Sequence, residues 1–252
     1  MSGQRLPGKA IERFDWQGAG NGGGAAARSV NGNGAVEWGS WLRSLERKRR
    51  LLVRAEPPRP RPLPADFFAR ATYSSFRLDR IDITQHEVIA SLSGGHQRQS
   101  LRSRAAQRIR NHVSILHHVE SSIRLGESLK SPVVMRWYTT IGCGLVTARL
   151  ADAAIDRLDH VVRQINSPQL RLQAALADIA RLHVQLLSDP LVPSFNGILA
   201  RLLLRYHLGR VGLPPVIFDS DGDAPALLDE HMLLRRLLEL IDNSYDLLLR
   251  AQ

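Results

Sequence analysis

The sequence predicts an all-α fold, and three observations carry that expectation. Leu, Ala and Arg are abundant while aromatic residues make up only 6% of the chain, a bias toward helix formers. From Ala65 onward apolar residues recur at the three- and four-residue spacing of amphipathic helices. Runs of alternating or β-branched residues that would signal strands are almost absent.

The elements follow in order. Residues 1–36 are glycine-rich and lack any periodic apolar pattern, which predicts a disordered tail. Its run from Gly18 to Gly24 contains a formal GxGxxG, but no strand precedes it and no helix pattern follows, so the run reads as linker. Residues 37–61 combine a basic helix and a proline-rich connector. Trp38, Trp41, Leu42, Leu45 and Leu52 share one helical face, with Arg43, Arg47, Lys48, Arg49, Arg50 and Arg54 on the other. Pro57 to Pro64 ends that helix and makes a stiff connector. In residues 62–252, Asp66 can cap a helix reaching Tyr73. Thr84 and Glu87 form a capping box for the next. Further helices are predicted over Ser100–Leu125, from Ser131-Pro132, over Leu150–Ile165, Pro168–Leu187 and Gly197–Leu208, and finally over Leu227–Leu249.

Composition narrows the function classes. Lys and Arg number 34 against 24 Asp and Glu, a formal net charge of +10, which draws phosphates, nucleic acid or anionic surfaces. The single cysteine, Cys143, excludes an internal disulfide and a cysteine metal cluster, as expected of a cytoplasmic protein. No stretch approaches the roughly 18 apolar residues that a membrane span requires, and the first residues lack a signal-peptide core. His112, His117 and His118 share a helix without an HExxH spacing, so no metal site is expected there. Asp219, Asp221, Asp223 and Glu230 match calcium-loop positions, but the turn glycine is displaced to Gly222, which favours a loop capping the last helix.

One segment carries more specific information. Phe195-Asn196-Gly197-Ile198-Leu199-Ala200-Arg201 opens an apolar helix that ends in Gly212-Leu213-Pro214-Pro215. This resembles the signature of Fic domains, of the Fic/DOC or Fido superfamily, in which HPFxxGNGRxxR precedes an apolar helix and a Gly-hydrophobic-Pro-Pro turn. Upstream, Leu63-Pro64, then Ser75 to Arg80, then the Thr84-capped helix stand in the family's order. The resemblance implies an all-α, Fic-like helical domain over residues 62–252 with at most a short β-hairpin, placed between Trp137 and Leu150. It implies nucleotide binding through Asn196, Gly197 and Arg201, where backbone amides and a guanidinium would meet phosphates. It also implies an inhibitory segment at Ser75 and Asp79, whose carboxylate would pair with Arg201.

The same resemblance marks a degenerate motif. The family's first arginine falls on Ile198 and its acidic metal ligand on Ser194. Its catalytic histidine falls on Pro190, or on Gln185 in a second count. A third register, with a longer loop, brings His183 to the catalytic position. Three readings stay open. The first is a degenerate Fic-family protein with a residual anion-binding helix start, acting through a protein partner without normal AMP transfer. The second is an atypical Fic-type nucleotidyltransferase, an AMPylator using His183, ATP and Mg. The third is a nucleic-acid-binding module using Arg43–Arg54 and Arg98–Arg110.

Overall fold

Several helices start or stop where local side-chain chemistry requires it. The computed structural model describes residues 34–55, 63, 65–92, 104–143, 152–168, 171–218, 222–224 and 226–250. Nine α-helices are present among them: α1 (Gly34–Ala55), α2 (Ala65–Leu78), α3 (Gln85–Leu92), α4 (Arg104–Leu125), α5 (Ser131–Ile141), α6 (Asp152–Asn166), α7 (Leu172–Ser188), α8 (Asn196–Arg210) and α9 (Glu230–Arg250). The predicted capping box closes at α3: Thr84 N–H donates to Glu87 Oε2 at 2.7 Å, and Glu87 N–H donates to Thr84 Oγ1 at 3.2 Å. Pro132 sits in the first turn of α5, where its missing N–H costs no helical bond. The last helix is capped by Asp229, whose carboxylate accepts from Met232 N–H at 2.8 Å.

The C-terminus of α2 closes as a Schellman motif. Ile81 N–H reaches Phe76 C=O and Arg80 N–H reaches Arg77 C=O, both at 2.9 Å, with Arg80 in the left-handed region at φ 57. This geometry fixes where Asp79 points, because it turns the chain sharply after the last helical residue.

The chain divides into Met1–Glu37 and Trp38–Gln252. Of the first unit only the opening turn of α1 is described, so the predicted tail lies, as far as residue 33, outside the described residues. So do most of the Pro57–Pro64 connector and residues 219–221 of the acidic loop. In the second unit α8 is the central element. It packs against α2, α4, α5, α6 and α7, and from Ile198 to Leu208 every side chain but Arg201 is buried. A helix buried on all sides has no solvent face to give up, which places it in the middle of the helical packing. One apolar cluster joins α8 to α2–α7 through Phe76, Ile109, Trp137, Ile165 and Leu203. A second joins α7 and α8 to α1 and α9 through Leu45, Ile179, Leu208, Leu237 and Tyr245.

The hairpin expected between Trp137 and Leu150 is displaced by helix at its start, since α5 continues through Ile141. Residues 144–150 lie outside the described residues, and no strand occurs among those described. Among the described residues no helix is long and apolar enough to cross a membrane.

Candidate functional site: the start of α8

The N-terminus of α8 presents backbone amides and an arginine one turn further in, a combination suited to an anion. The protein fills that seat itself. Asp79, in the turn after α2, accepts from Ile198 N–H through Oδ2 at 3.1 Å, and its Oδ1 forms an ion pair with Arg201 Nη2. Arg201 is further held by Ser75, with Nε to the hydroxyl at 2.9 Å and Nη2 to the backbone carbonyl at 2.6 Å. The Arg201 and Asp79 side chains are only 9% and 13% exposed, so the pair is shielded from water. Burial pulls the Arg201 guanidinium below its ordinary value, and the Asp79 charge and hydrogen bond oppose that pull. The contact depends on Gly197: a Cβ there would lie 3.0 Å from Asp79 Cγ and closer still to Oδ1.

Asn196 is spent on the preceding loop. Its Nδ2 donates to Leu186 C=O at 2.6 Å, and its Oδ1 accepts from Leu191 N–H at 3.0 Å. The loop 189–195 is held from outside by Arg157, which donates to Asp189 C=O at 2.7 Å and pairs with its carboxylate at 2.9 Å. Phe195, at the last position before α8, adopts φ 57, with the Arg108 guanidinium 4.9 Å above its ring. Leu191 and Val192 turn inward and are buried.

His183 stands elsewhere. It lies within α7, 1% exposed, and its ring stacks on Phe218 with centroids 6.3 Å apart. Neither ring nitrogen has a hydrogen bond of sound geometry, although the Ala200 backbone acts on the ring. Burial, reinforced by the Arg201 charge, pushes His183 down to about 3. The α2–α8 packing thus brings Ser75, Asp79, Gly197 and Arg201 together, with Asn196 beside them, while the α7–α8 packing sets His183 apart in the core.

Behind Arg201 a cavity of about 40 Å³ is bordered by Ser74, Ser75, His112 and Arg205. It has room for a few waters and none for a nucleotide, since a single water needs about 10–15 Å³ by the same measure. His112 is pushed down to about 3 by burial, with Arg201 and Arg205 adding, and its Nδ1 shares a 3.0 Å hydrogen bond with Thr72 Oγ1. Arg205 pairs with Glu120 at 2.8 Å and lies 4.8 Å over the Phe67 ring. Glu120 and Phe67 fall on α4 and α2, so no local spacing pairs them with Arg205. Asp223 is committed to Arg236 at 2.6 Å, and no cluster of three metal-ligating side chains occurs among the described residues.

No protein family and no curated protein matches the chain in sequence. Solved structures do match. Fic-1 from C. elegans (residues 134–508) aligns with TM-score 0.71 and 16% identity over 86% of this chain and 73% of that one. A variant of the same protein aligns with TM-score 0.69 and 15% identity over the same shares. A Fic domain containing signaling protein from Bacteroides thetaiotaomicron aligns with TM-score 0.65 and 16% identity, over 84% of this chain and 97% of that one. The chain has the Fic fold. Arg80 and Phe195 both adopt the left-handed backbone. Non-glycine residues there store strain of order 1 kcal/mol each. Pro190 and Gln185 are exposed at the end of α7 and offer no titratable group.

Proposed function

We propose that this chain is a degenerate Fic-fold protein that keeps the anion seat at α8 and has lost ordinary AMP-transfer chemistry, and that it works through binding. One observation carries the reading. The Asp79 carboxylate spans the Ile198 amide and the Arg201 guanidinium, the two groups that a nucleotide phosphate would need. The chemistry around the seat supports it. A transferase of this kind needs a base for the attacking hydroxyl and a carboxylate for magnesium. The loop offers Pro190 and Ser194 instead. In this reading His183 belongs to the core, because a ring without exposure and with depressed basicity accepts no proton from a substrate. ATP with Mg would occupy the seat only after Asp79 leaves it.

The test compares wild type, Asp79→Gly and His183→Ala for ATP binding by calorimetry and for transfer of labelled ATP to lysate proteins. Asp79→Gly is expected to bind ATP at least about tenfold more tightly, because a charge-assisted contact to Arg201 becomes available. No variant is expected to transfer label. Labelling by wild type that disappears in His183→Ala would overturn the reading in favour of the transferase.

A further inference from the structure

We propose that the cavity at the far end of α8 binds a compact multivalent phosphate anion, at a site separate from the Asp79 seat. The cavity has a volume of about 420 Å³ and lies among α1, α6, α7 and the C-terminus of α8. That volume falls within the roughly 300–1,000 Å³ of small-molecule sites. Three arginines from three elements converge on it: Arg49 of α1, Arg171 just before α7, and Arg210, the last residue of α8. No acidic residue lines it among the described residues.

The arginines are only weakly paired with their neighbours. Glu46 approaches Arg49 only to 3.8 Å, outside hydrogen-bond distance, and gives its other oxygen to Arg50 at 3.2 Å. Arg210 reaches the Gly126 carbonyl at 3.5 Å, the limit of such a bond. The Arg171 side chain makes no ion pair among the described residues. The position of Arg49 is built into the backbone. Gly212 adopts φ +73, and a Cβ there would stand 2.9 Å from Arg49 Nη2, so the glycine leaves room for the guanidinium. The start of α7 adds positive potential, because no side chain caps its first-turn amides. The α8 carbonyls of His207, Leu208 and Gly209, which would repel an anion, already accept from Val211 and Gly212 N–H.

The ligand is a small molecule with two or more phosphate charges, since three guanidinium forks around one concavity match several oxygens at once. A nucleic acid strand would call for a basic stripe along an open face. Nine residues of helix, about 14 Å, separate Arg210 from Arg201, so a ligand here does not touch the Asp79 seat.

Calorimetry of the full chain with inorganic pyrophosphate at low salt tests this, with ATP and a duplex oligonucleotide as further titrants. Wild type is expected to bind pyrophosphate one to one. Arg171→Ala and Arg210→Ala should each weaken binding by at least about tenfold, and added salt should weaken it further. With Asp79 in place the seat at Arg201 is closed, so binding lost in both arginine variants belongs to this cavity and not to that seat. Arg171→Gln and Arg210→Gln give the same reading if an alanine variant unfolds. Absence of pyrophosphate binding by wild type would overturn the proposal. So would binding indifferent to both arginines, or an oligonucleotide held by the same arginines that pyrophosphate does not displace.

Discussion

The Asp79 carboxylate occupies the space that a side chain on Gly197 would take. A Cβ at Gly197 would lie 3.0 Å from Asp79 Cγ and 3.1 Å from Arg201 Nη1. Alanine is otherwise the better helix residue by about 1 kcal/mol. Gly197→Ala is therefore expected to cost about 1–3 kcal/mol in wild type and to be neutral or stabilising in an Asp79→Gly background. Urea unfolding of the four chains measures the cycle. Costs that add within about 0.5 kcal/mol would mean that the two residues do not compete for space.

Arg80 offers a stabilising change. It is exposed and held at φ 57 in the turn that closes α2. Arg80→Gly should raise stability by about 1 kcal/mol, or some 2–4 °C in a chain of this size. Arg80→Val should lower it. Thermal unfolding by circular dichroism reads both.

Acid stability follows from the buried histidines. His112 and His183 are pushed down to about 3 and His207 to about 4, each mainly by burial. The unfolded chain then binds more protons than the folded one between those values and about 6.5, so stability is full above pH 6.5 and falls as pH drops. Each histidine contributes about 1.4 kcal/mol per pH unit in that window. His183→Leu should shrink the stability difference between pH 8 and pH 5 by about 2 kcal/mol. An unchanged difference would show that His183 takes up its proton as readily in the folded protein as in the unfolded chain.

The basic face of α1 is not uniform. Lys48 lies between Asp242 at 2.7 Å and Asp246 at 2.6 Å on α9. Burial works against its charge, yet hydrogen bonds to both carboxylates outweigh it and hold Lys48 above its ordinary value. Lys48→Glu would gather three carboxylates and should cost about 2–4 kcal/mol. Arg43→Glu and Arg47→Glu, on the exposed side, should stay within about 0.5 kcal/mol. These two are the changes with which to test nucleic acid binding, since a loss of affinity in them cannot come from unfolding.

Helix positions and the Thr84–Glu87 box were legible because they rest on neighbours within a few residues. The meeting of Ser75, Asp79 and Arg201 spans more than a hundred residues and was visible only through a family's motif order. The place of Asn196 was foreseen and its work was not, because its bonds to Leu186 and Leu191 depend on the course of the loop. His183 reads as a polar residue on an amphipathic helix. The covering of α7 by both α8 and α9 puts His183 on its buried side, away from the solvent face at Arg181 and Gln185 that such a reading assumes. Left-handed Arg80 and Phe195 left no trace in composition, since both residue types ordinarily avoid that backbone.

The burial of α8 on every side makes it the fixed part of any rearrangement at its own N-terminus. An arriving anion cannot draw this helix outward without opening both apolar clusters. The movable part is the turn at Asp79 and Arg80, held to α8 by the ion pair with Arg201 and the hydrogen bond from Ile198 N–H. Uncovering the seat is then a hinge event at the end of α2, with α8 as the doorpost, and amide exchange should be fast at residues 79–81 while the α8 amides stay closed.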